Sequence, residues 1–203
     1  MKSHAVVRFW LFALSLVTIV AALSGCQNYD QLIEKDVACE AAWSDYQAQL
    51  QRRNDLTQNL VETVKAAANY ESSTLQKITQ ARADATSIKL TGEDFTDPAK
   101  VAAFQAAQAK LSAGSLSRLL VSNENYPKLQ ASAQYTDLMK QLEGTENRIL
   151  HAREQYNAAV RGYNTELRKI RGQAVNKVTG HPFKERVFFE ATPESTTAPK
   201  VHF

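Results

Sequence analysis

The clearest pattern in this chain is a stripe of apolar and small residues between Tyr135 and Ile170. Its members lie three or four residues apart, the spacing that keeps side chains on one face of an α-helix. At about 1.5 Å per residue, such a helix is a rod about 54 Å long. A rod with one long apolar face needs other helices to cover it. The stripe consists of Leu138, Leu142, Thr145, Ile149, Ala152, Tyr156, Ala159, Tyr163, Leu167 and Ile170.

A second helical pattern runs from Tyr29 to about Ala85 and contains neither proline nor glycine. It predicts either one long helix or two helices joined by a bend. The stripe is thinnest near Asn69 and Tyr70, which is where a bend is expected. Its apolar and small members include Leu32, Val37, Ala41, Trp43, Tyr46, Leu50, Leu56, Leu60, Val64, Leu75, Ile78 and Ala81.

The start of a third helix is marked by Asp97 directly before Pro98, an N-cap followed by proline at the first helical position. This helix is expected to reach about Ser122, and Pro127 then marks a reversal before the long rod. Four main helices in this order predict an all-α fold. We expect an up-and-down antiparallel four-helix bundle of long helices over residues 26–172. The apolar side of the third helix is formed by Val101, Phe104, Leu111, Leu116, Leu119 and Leu120.

The C-terminal part of the chain follows a weaker pattern after Gly172. Residues 173–190 are a short extension with an aromatic patch from Phe183 to Phe189. We expect this patch to be a flap over the end of the bundle, because an exposed patch would need a partner or a membrane surface. Residues 191–203 are polar and contain prolines, which predicts a disordered tail.

The N-terminal residues 1–25 have the layout of an export signal, with Lys2 and Arg8 before an apolar run. The run ends in Leu23-Ser24-Gly25-Cys26, which resembles the lipobox of bacterial lipoproteins. In such proteins the cysteine is lipidated and becomes the new N-terminus. Cys26 is therefore the expected lipidation site, and its acyl chains are the expected membrane anchor.

An uncleaved N-terminal membrane helix is the alternative anchor. The apolar run is about 15 residues long, whereas a full span needs about 20. The residue after Cys26 is Gln27 rather than aspartate. In Gram-negative lipoproteins this resembles a signal for sorting to the outer membrane, with the bundle facing the periplasm.

The charge of the chain gives no indication of a nucleic-acid partner. Removing Lys2 and Arg8 with the first 25 residues leaves 22 basic and 21 acidic residues, a net charge of +1. Dense clusters of lysine and arginine, which contacts to phosphates require, are missing from the sequence. Cys39 lies within a helical pattern and is expected to pack as a small apolar residue rather than to form a disulfide with Cys26.

Six blocks of sequence occur in a fixed order between residues 28 and 164. They are Asn28-Tyr29 with Leu32; Ala41-Ala42-Trp43-Ser44; Leu50–Leu56 with Asn59–Lys65; Tyr126–Leu129; Leu142–Ile149; and Tyr156–Val160 with Tyr163-Asn164. Together they resemble the LemA family. Two departures are Gln58, where the family usually has proline, and Ile170-Arg171-Gly172, where members often have Phe-Pro. The resemblance implies a helical bundle that projects from a bacterial membrane, a role in envelope or membrane organisation, and no established reaction.

The candidate interaction residues are polar side chains within these blocks. One interpretation is that they form hydrogen bonds between helices and fix the register of the bundle. The other is that they line a docking groove for an envelope partner. Gly144 and Gly162 lie inside the long rod, where each costs about 1 kcal/mol relative to alanine. We therefore expect close helix contacts at both glycines. The candidates are Asn59, Glu62, Glu143, Glu146, Asn147, Arg148, Asn157 and Asn164.

Motifs of known catalytic chemistry are missing from the sequence. The four histidines are scattered, and no nucleophile elbow, phosphate loop or dinucleotide-binding turn occurs. We expect no catalytic residue, no metal and no cofactor. The sequence thus predicts a membrane-anchored envelope protein that acts as a non-enzymatic scaffold or interaction module for an unidentified partner. The alternative is an accessory or regulatory factor for an envelope protease or hydrolase. A third hypothesis, that the protein is itself an enzyme, would rest only on the Glu, Asn and Arg residues among the candidates above.

Overall fold

The computed structural model describes residues 2–67, 72–112, 129, 131–178 and 183–190. These residues form helices and irregular segments, and no strand occurs among them. The all-α bundle predicted from the sequence is confirmed. Four predicted features lie outside the described residues: the bend near Asn69, the end of the third helix near Ser122, the reversal at Pro127 and the disordered tail.

Five α-helices and one 3-10 turn make up the described part of the chain. Within residues 29–85 there are two helices rather than one, and the long rod is present almost as predicted. The elements are α1 (Lys2–Ala67), α2 (Ser72–Ser87), a 3-10 turn (Gly92–Thr96), α3 (Pro98–Ala109), α4 (Ala133–Arg168) and α5 (Ile170–Val178).

Among the described residues, three members of the predicted stripes are exposed rather than part of the core. Ile170 is 86% exposed because it follows a bend in the chain at Lys169, where the long rod ends. Val37 is 56% exposed, and Ala41 is also exposed. The stripe of α1 therefore runs through Leu32, Cys39 and Trp43 in this region.

α1 passes through Cys26, whose side chain is outside the described part of the structure. Within the residues that are described, no helix has both the length and the apolar character needed to cross a membrane.

The start of α3 confirms the predicted cap at Asp97. A side-chain oxygen of Asp97 accepts hydrogen bonds from the backbone N–H groups of Ala99 (2.9 Å) and Lys100 (3.4 Å). These donors have no partner inside the helix, so the cap replaces the hydrogen bonds that the helix start lacks. After Ala109 the chain continues in a wider π-helical turn over residues 110–112.

The chain divides into two compact units. The first unit consists of Met1–Glu40 and Ala159–Glu185. Cys39 is fully buried there, as expected for a residue that packs as a small apolar side chain. Buried side chains of this unit that α1 and α4 contribute include Leu32, Cys39, Val160, Tyr163, Asn164 and Leu167.

In the first unit, the irregular residues 183–185 contact α4 and α5. The amide side chain of Asn176 accepts a hydrogen bond from Phe183 N (2.7 Å) and donates one to Phe183 O (3.1 Å). Arg168 donates two hydrogen bonds to the Glu185 carboxylate. These bonds lower the pKa of Glu185, since they favour its charged form.

Gly172 lies where α5 approaches the end of α4. A Cβ atom added at Gly172 would lie 2.4 Å from Glu166 O and 2.8 Å from Leu167 O. Backbone oxygens at these distances cannot move aside easily, so only glycine fits this position.

Unlike Gly172, the two glycines inside the rod have room for a side chain, and the expectation of close helix contacts there is wrong. The nearest atom to a Cβ added at Gly144 is Arg148 Nη1 at 3.5 Å. At Gly162 it is Lys35 Cδ at 3.9 Å. Both neighbours are long, flexible side chains at ordinary contact distances, so neither site requires glycine for packing.

The second unit consists of Ala41–Ala158 and Arg186–Phe203. Within it α1 and α4 run antiparallel: Trp43 contacts Tyr156, while Arg52 further along α1 contacts Gln141, which lies earlier in α4. One apolar cluster of this unit combines α1, α2, Leu129 and α4. It contains Leu56, Leu60, Val61, Val64, Leu75, Ile78, Leu129, Tyr135, Leu138 and Leu142.

We expect Gly172→Ala to destabilise the protein by about 1–3 kcal/mol, because the new methyl group overlaps two backbone oxygens. Gly162→Ala is the matched control and should stabilise it by up to about 1 kcal/mol, as expected for alanine in a helix interior. Urea unfolding followed by circular dichroism measures both. Equal effects of the two substitutions would contradict the steric account.

Candidate functional site

A fully buried arginine lies at the centre of the second unit. Arg53 of α1 is 1% exposed. Its Nη1 and Nη2 atoms donate hydrogen bonds to Ser112 Oγ and Gln108 Oε1, and its Nη1 lies 3.4 Å from Glu146 Oε1. A buried guanidinium without such partners would be very unfavourable, so these three residues are what allows Arg53 to be inside.

One series of hydrogen bonds from Arg53 runs through Ser112 and connects α1 to α4. Ser112 Oγ lies 3.1 Å from both carboxylate oxygens of Glu146. The side chain of Glu146 is 35% exposed, so one side of the carboxylate is in contact with water. Glu146, a candidate interaction residue, thus neutralises a buried charge inside its own chain.

A second series of hydrogen bonds from Arg53 runs through Gln108 and connects α1 to α3 and α2. Gln108 accepts from Arg53 and donates through Nε2 to the backbone oxygen of Ala85 at 2.8 Å. Ala85 lies in the last turn of α2, where backbone oxygens have no partner within the helix. One amide therefore solvates the arginine and completes the end of a neighbouring helix.

Two buried polar atoms next to this network have no hydrogen-bond partner among the described residues: Arg53 Nε and Asn54 Oδ1. The backbone of both residues is engaged, since Thr57 Oγ1 donates to Arg53 O (2.7 Å) and Arg82 Nε donates to Asn54 O (3.2 Å). We define the Arg53 network as Arg53, Gln108, Ser112 and Glu146.

Tyr46 lies in the electrostatic field of this network. Burial raises the pKa of the Tyr46 hydroxyl, because it disfavours the charged phenolate. The positive charges of Arg53 and Arg153 lower the pKa and so oppose this effect, whereas Glu146 raises it further. Burial is the largest of these effects, so Tyr46 stays neutral and packs as an aromatic core residue.

An aromatic cluster adjoins Tyr46 and is centred on Trp43. The indole ring makes edge contacts with Phe95 (4.9 Å between centroids) and Phe104 (5.5 Å), and it stacks on Phe189 (5.8 Å). Phe189 is 3% exposed. It belongs to the C-terminal extension, which in the second unit therefore contributes a ring to the core. The cluster consists of Trp43, Tyr46, Phe95, Phe104, Tyr156 and Phe189.

Asn157, another candidate, holds the backbone of this extension. Its Nδ2 donates to Phe189 O at 2.8 Å, and its Oδ1 accepts from Phe189 N at 2.9 Å. The sequence suggested that Asn157 bonds between helices or lines a groove. The structure instead shows it bound to a non-helical segment.

Asn59 and Glu62 line an open groove between α1 and the start of α4. The groove has a volume of about 840 Å³ and contains a second carboxylate, that of Asp137. Both candidates are exposed. The groove is lined by Asn59, Glu62, Thr63, Ala66, Ser132, Gln134, Asp137, Leu138 and Gln141.

The other candidates are divided between the surface and the interior. Arg148 donates to Thr145 Oγ1 (2.8 Å) and to Gln49 Oε1 (3.2 Å), so it joins α4 to α1. Asn164 is buried in the first unit. Glu143 and Asn147 are exposed, and neither lines the groove of Asn59 and Glu62.

Gln108 and Ser112 were not predicted, although Gln108 gave a signal. It follows Phe104 by four residues and precedes Leu111 by three, so it occupies an apolar position of the α3 stripe. Arg53 likewise lies between Leu50 and Leu56 on the face of α1 that packs inward. Polar residues at such positions indicate a buried network, because they would otherwise be unsatisfied. Ser112 gave no comparable signal.

Metal ligands do not cluster in the described part of the chain: no group of three or more His, Cys, Asp or Glu side chains there could hold an ion.

We expect Arg53→Ala to destabilise the protein by about 3 kcal/mol, since it opens a cavity and leaves Gln108 and Ser112 without their partner. Arg52→Ala is the matched control. Arg52 is exposed and bonds only to Gln141 among the described contacts, so its loss should change stability by at most about 0.5 kcal/mol. Urea unfolding measures the difference, and similar losses in both variants would contradict the central role of Arg53.

Comparison with known proteins identifies relatives of this chain. It is 27% identical to magnetosome proteins MamQ 1 and MamQ 2 of Paramagnetospirillum magneticum, and 25% identical to magnetosome protein MamQ of Magnetospirillum gryphiswaldense. Each alignment covers 92% of this chain and 74% of the relative. Neither these names nor the family description is that of an enzyme. The model of the LemA family matches residues 42–203, which confirms the resemblance seen in the sequence. The chain belongs to the LemA family.

Proposed function

We propose that this protein is anchored to a membrane of the bacterial cell envelope, where its helical bundle is a non-enzymatic scaffold or interaction module. Membership of the LemA family and the similarity to proteins named for the magnetosome support a membrane-associated envelope protein. The interaction role has a separate structural basis, which is the groove between α1 and α4.

The groove carries the proposal because it is open and its walls are helical. Glu62 and Asp137 contribute two carboxylates, and Asn59, Gln134 and Gln141 contribute carboxamides that both donate and accept hydrogen bonds. Helices present such groups in fixed positions. Carboxylates in a groove attract lysine and arginine side chains, so a partner segment that carries basic residues complements this surface.

The non-enzymatic part of the proposal is supported by the way the Arg53 network uses its polar groups. Arg53, Ser112 and Glu146 bond to one another, and Gln108 bonds to Arg53 and to the end of α2. The buried polar side chains that could otherwise take part in catalysis thus serve the packing of the bundle. The groove of Asn59 and Glu62 presents polar groups to solvent, as a binding surface does.

Anchoring through Cys26 is supported by the lipobox-like sequence Leu23-Ser24-Gly25-Cys26. Lipidation there attaches the chain to the membrane next to the start of the bundle, so that the bundle faces the periplasm. Gln27 favours the outer membrane if the organism is Gram-negative.

We expect Cys26→Ser to move the protein from the membrane fraction to the soluble fraction or to an unprocessed precursor, because the thiol that carries the acyl chain is missing. Cys39→Ser is the matched control. Its thiol is buried, so the variant should keep its membrane attachment. Fractionation and metabolic labelling with palmitate measure both, and unchanged labelling of Cys26→Ser would disprove lipidation at this residue.

We expect a photo-crosslinking amino acid at Glu62 to capture a specific envelope protein in living cells, because this side chain lines the groove. The same probe at Asp45, which is exposed on α1 outside the groove, is the control and should not capture that protein. Glu62→Arg should abolish capture by a probe at Asp137, since it reverses the charge of the groove. Identical products from the Glu62 and Asp45 probes would refute the groove as a docking site.

A further inference from the structure

Residues 186–190 lie in the second unit in the way that a bound peptide lies in its receptor. They form neither helix nor strand. Their partners come from α1, α3, α4 and the 3-10 turn at Phe95.

The backbone of this segment is recognised directly. Asn157 binds both the N–H and the C=O of Phe189, the two groups that a residue in an extended chain presents to the same side. Val187 N donates to Phe95 O at 2.7 Å, and Gln105 Nε2 donates to Glu190 O at 3.0 Å. These bonds are independent of the side chains in the segment, as in the recognition of an added β-strand.

Two side chains of the segment contact aromatic rings of the bundle. Phe189 enters the aromatic cluster, and the guanidinium of Arg186 lies 5.5 Å from the centre of the Phe95 ring. In contrast, Phe188 is 39% exposed and Glu190 is also exposed. The ring contacts therefore come from a basic residue and from an aromatic residue three positions later, on an extended backbone.

We propose that the aromatic cluster and Asn157 form a peptide-recognition site, which the chain's own residues 186–190 occupy until a partner replaces them. The partner presents an extended segment with an arginine or lysine three positions before a phenylalanine or tyrosine. We call this site the Phe189 site, formed by Trp43, Tyr46, Phe95, Phe104, Gln105, Tyr156 and Asn157.

The attachment of the segment to its own chain sets the threshold for replacement. A tethered ligand acts at an effective concentration that reaches the millimolar range for short linkers. A free peptide at micromolar concentration therefore cannot displace it, whereas a partner that also binds elsewhere on the bundle can. The Phe189 site is separate from the groove of Asn59 and Glu62, so the proposal holds whether or not that groove binds a partner.

The first test uses the full-length chain with Phe189→Ala, which removes the aromatic anchor of the resident segment. The probe is a fluorescent peptide with the sequence of residues 184–192. We expect this variant to bind the peptide at least tenfold more tightly than the wild-type chain in fluorescence anisotropy. Phe188→Ala is the matched control and should bind as weakly as the wild type, because Phe188 is not in the cluster.

Variants of the peptide test the selected pattern. A peptide with Phe189→Ala should lose binding to the Phe189→Ala chain, and one with Arg186→Ala should bind several-fold more weakly. A peptide with Phe188→Ala should bind as well as the original. Adding Asn157→Ala to the chain should weaken binding about tenfold, since two backbone hydrogen bonds are lost. A folded Phe189→Ala chain that fails to bind the peptide would overturn the proposal, and so would equal binding of the original peptide and its three variants.

A second measurement covers the case in which Phe189→Ala does not fold. Hydrogen exchange of the Phe189 amide is followed in the wild-type chain at millimolar peptide concentration. We expect this amide to exchange at least threefold faster, because the resident segment leaves the site. The peptide with Phe189→Ala should have no effect. Exchange that is the same with and without the original peptide would overturn the proposal.

Discussion

The desolvated charge of Arg53 is the constraint on which the second unit depends. A guanidinium that is 1% exposed must receive its hydrogen bonds from the protein, and Gln108, Ser112 and Glu146 supply them from two other helices. This requirement fixes how α3 lies along α1. If α3 moved by one turn, Phe104 would take the place of Gln108 and face the charge with a phenyl ring. The network thus selects one register among several that apolar packing alone would allow.

The aromatic cluster adds a second constraint of long range. Trp43 is surrounded by rings from the 3-10 turn, α3, α4 and the C-terminal segment, so no short piece of the chain contains this core. The Arg53 network fixes the helices by directional hydrogen bonds, and the cluster fills the space beside it with rings. Asn157 joins α4 to the C-terminal segment, because its side chain binds the backbone of Phe189.

Features that depend on local sequence were predictable. The spacing of α4 and the Asp97 cap involve residues within one or two turns of each other, and the structure has both. The partners of Arg53 and Asn157 were not predictable, because they lie tens of residues away in the chain. Gly162 was misinterpreted: a glycine inside a helix suggested close packing, although its neighbourhood has room for a side chain. The eight candidate residues were also chosen as one set, whereas the structure separates them into internal bonds, a groove and exposed positions.

The position of Phe189 in the core has a consequence for biosynthesis. The ribosome makes Trp43 long before Phe189, so the growing chain has helices but lacks the ring that closes its aromatic cluster. During that interval the indole and its neighbours present an apolar surface, which chaperones and proteases recognise in incomplete chains. A chain that stops before residue 189 keeps this surface permanently. Whether synthesis has passed residue 189 therefore decides whether this surface is covered.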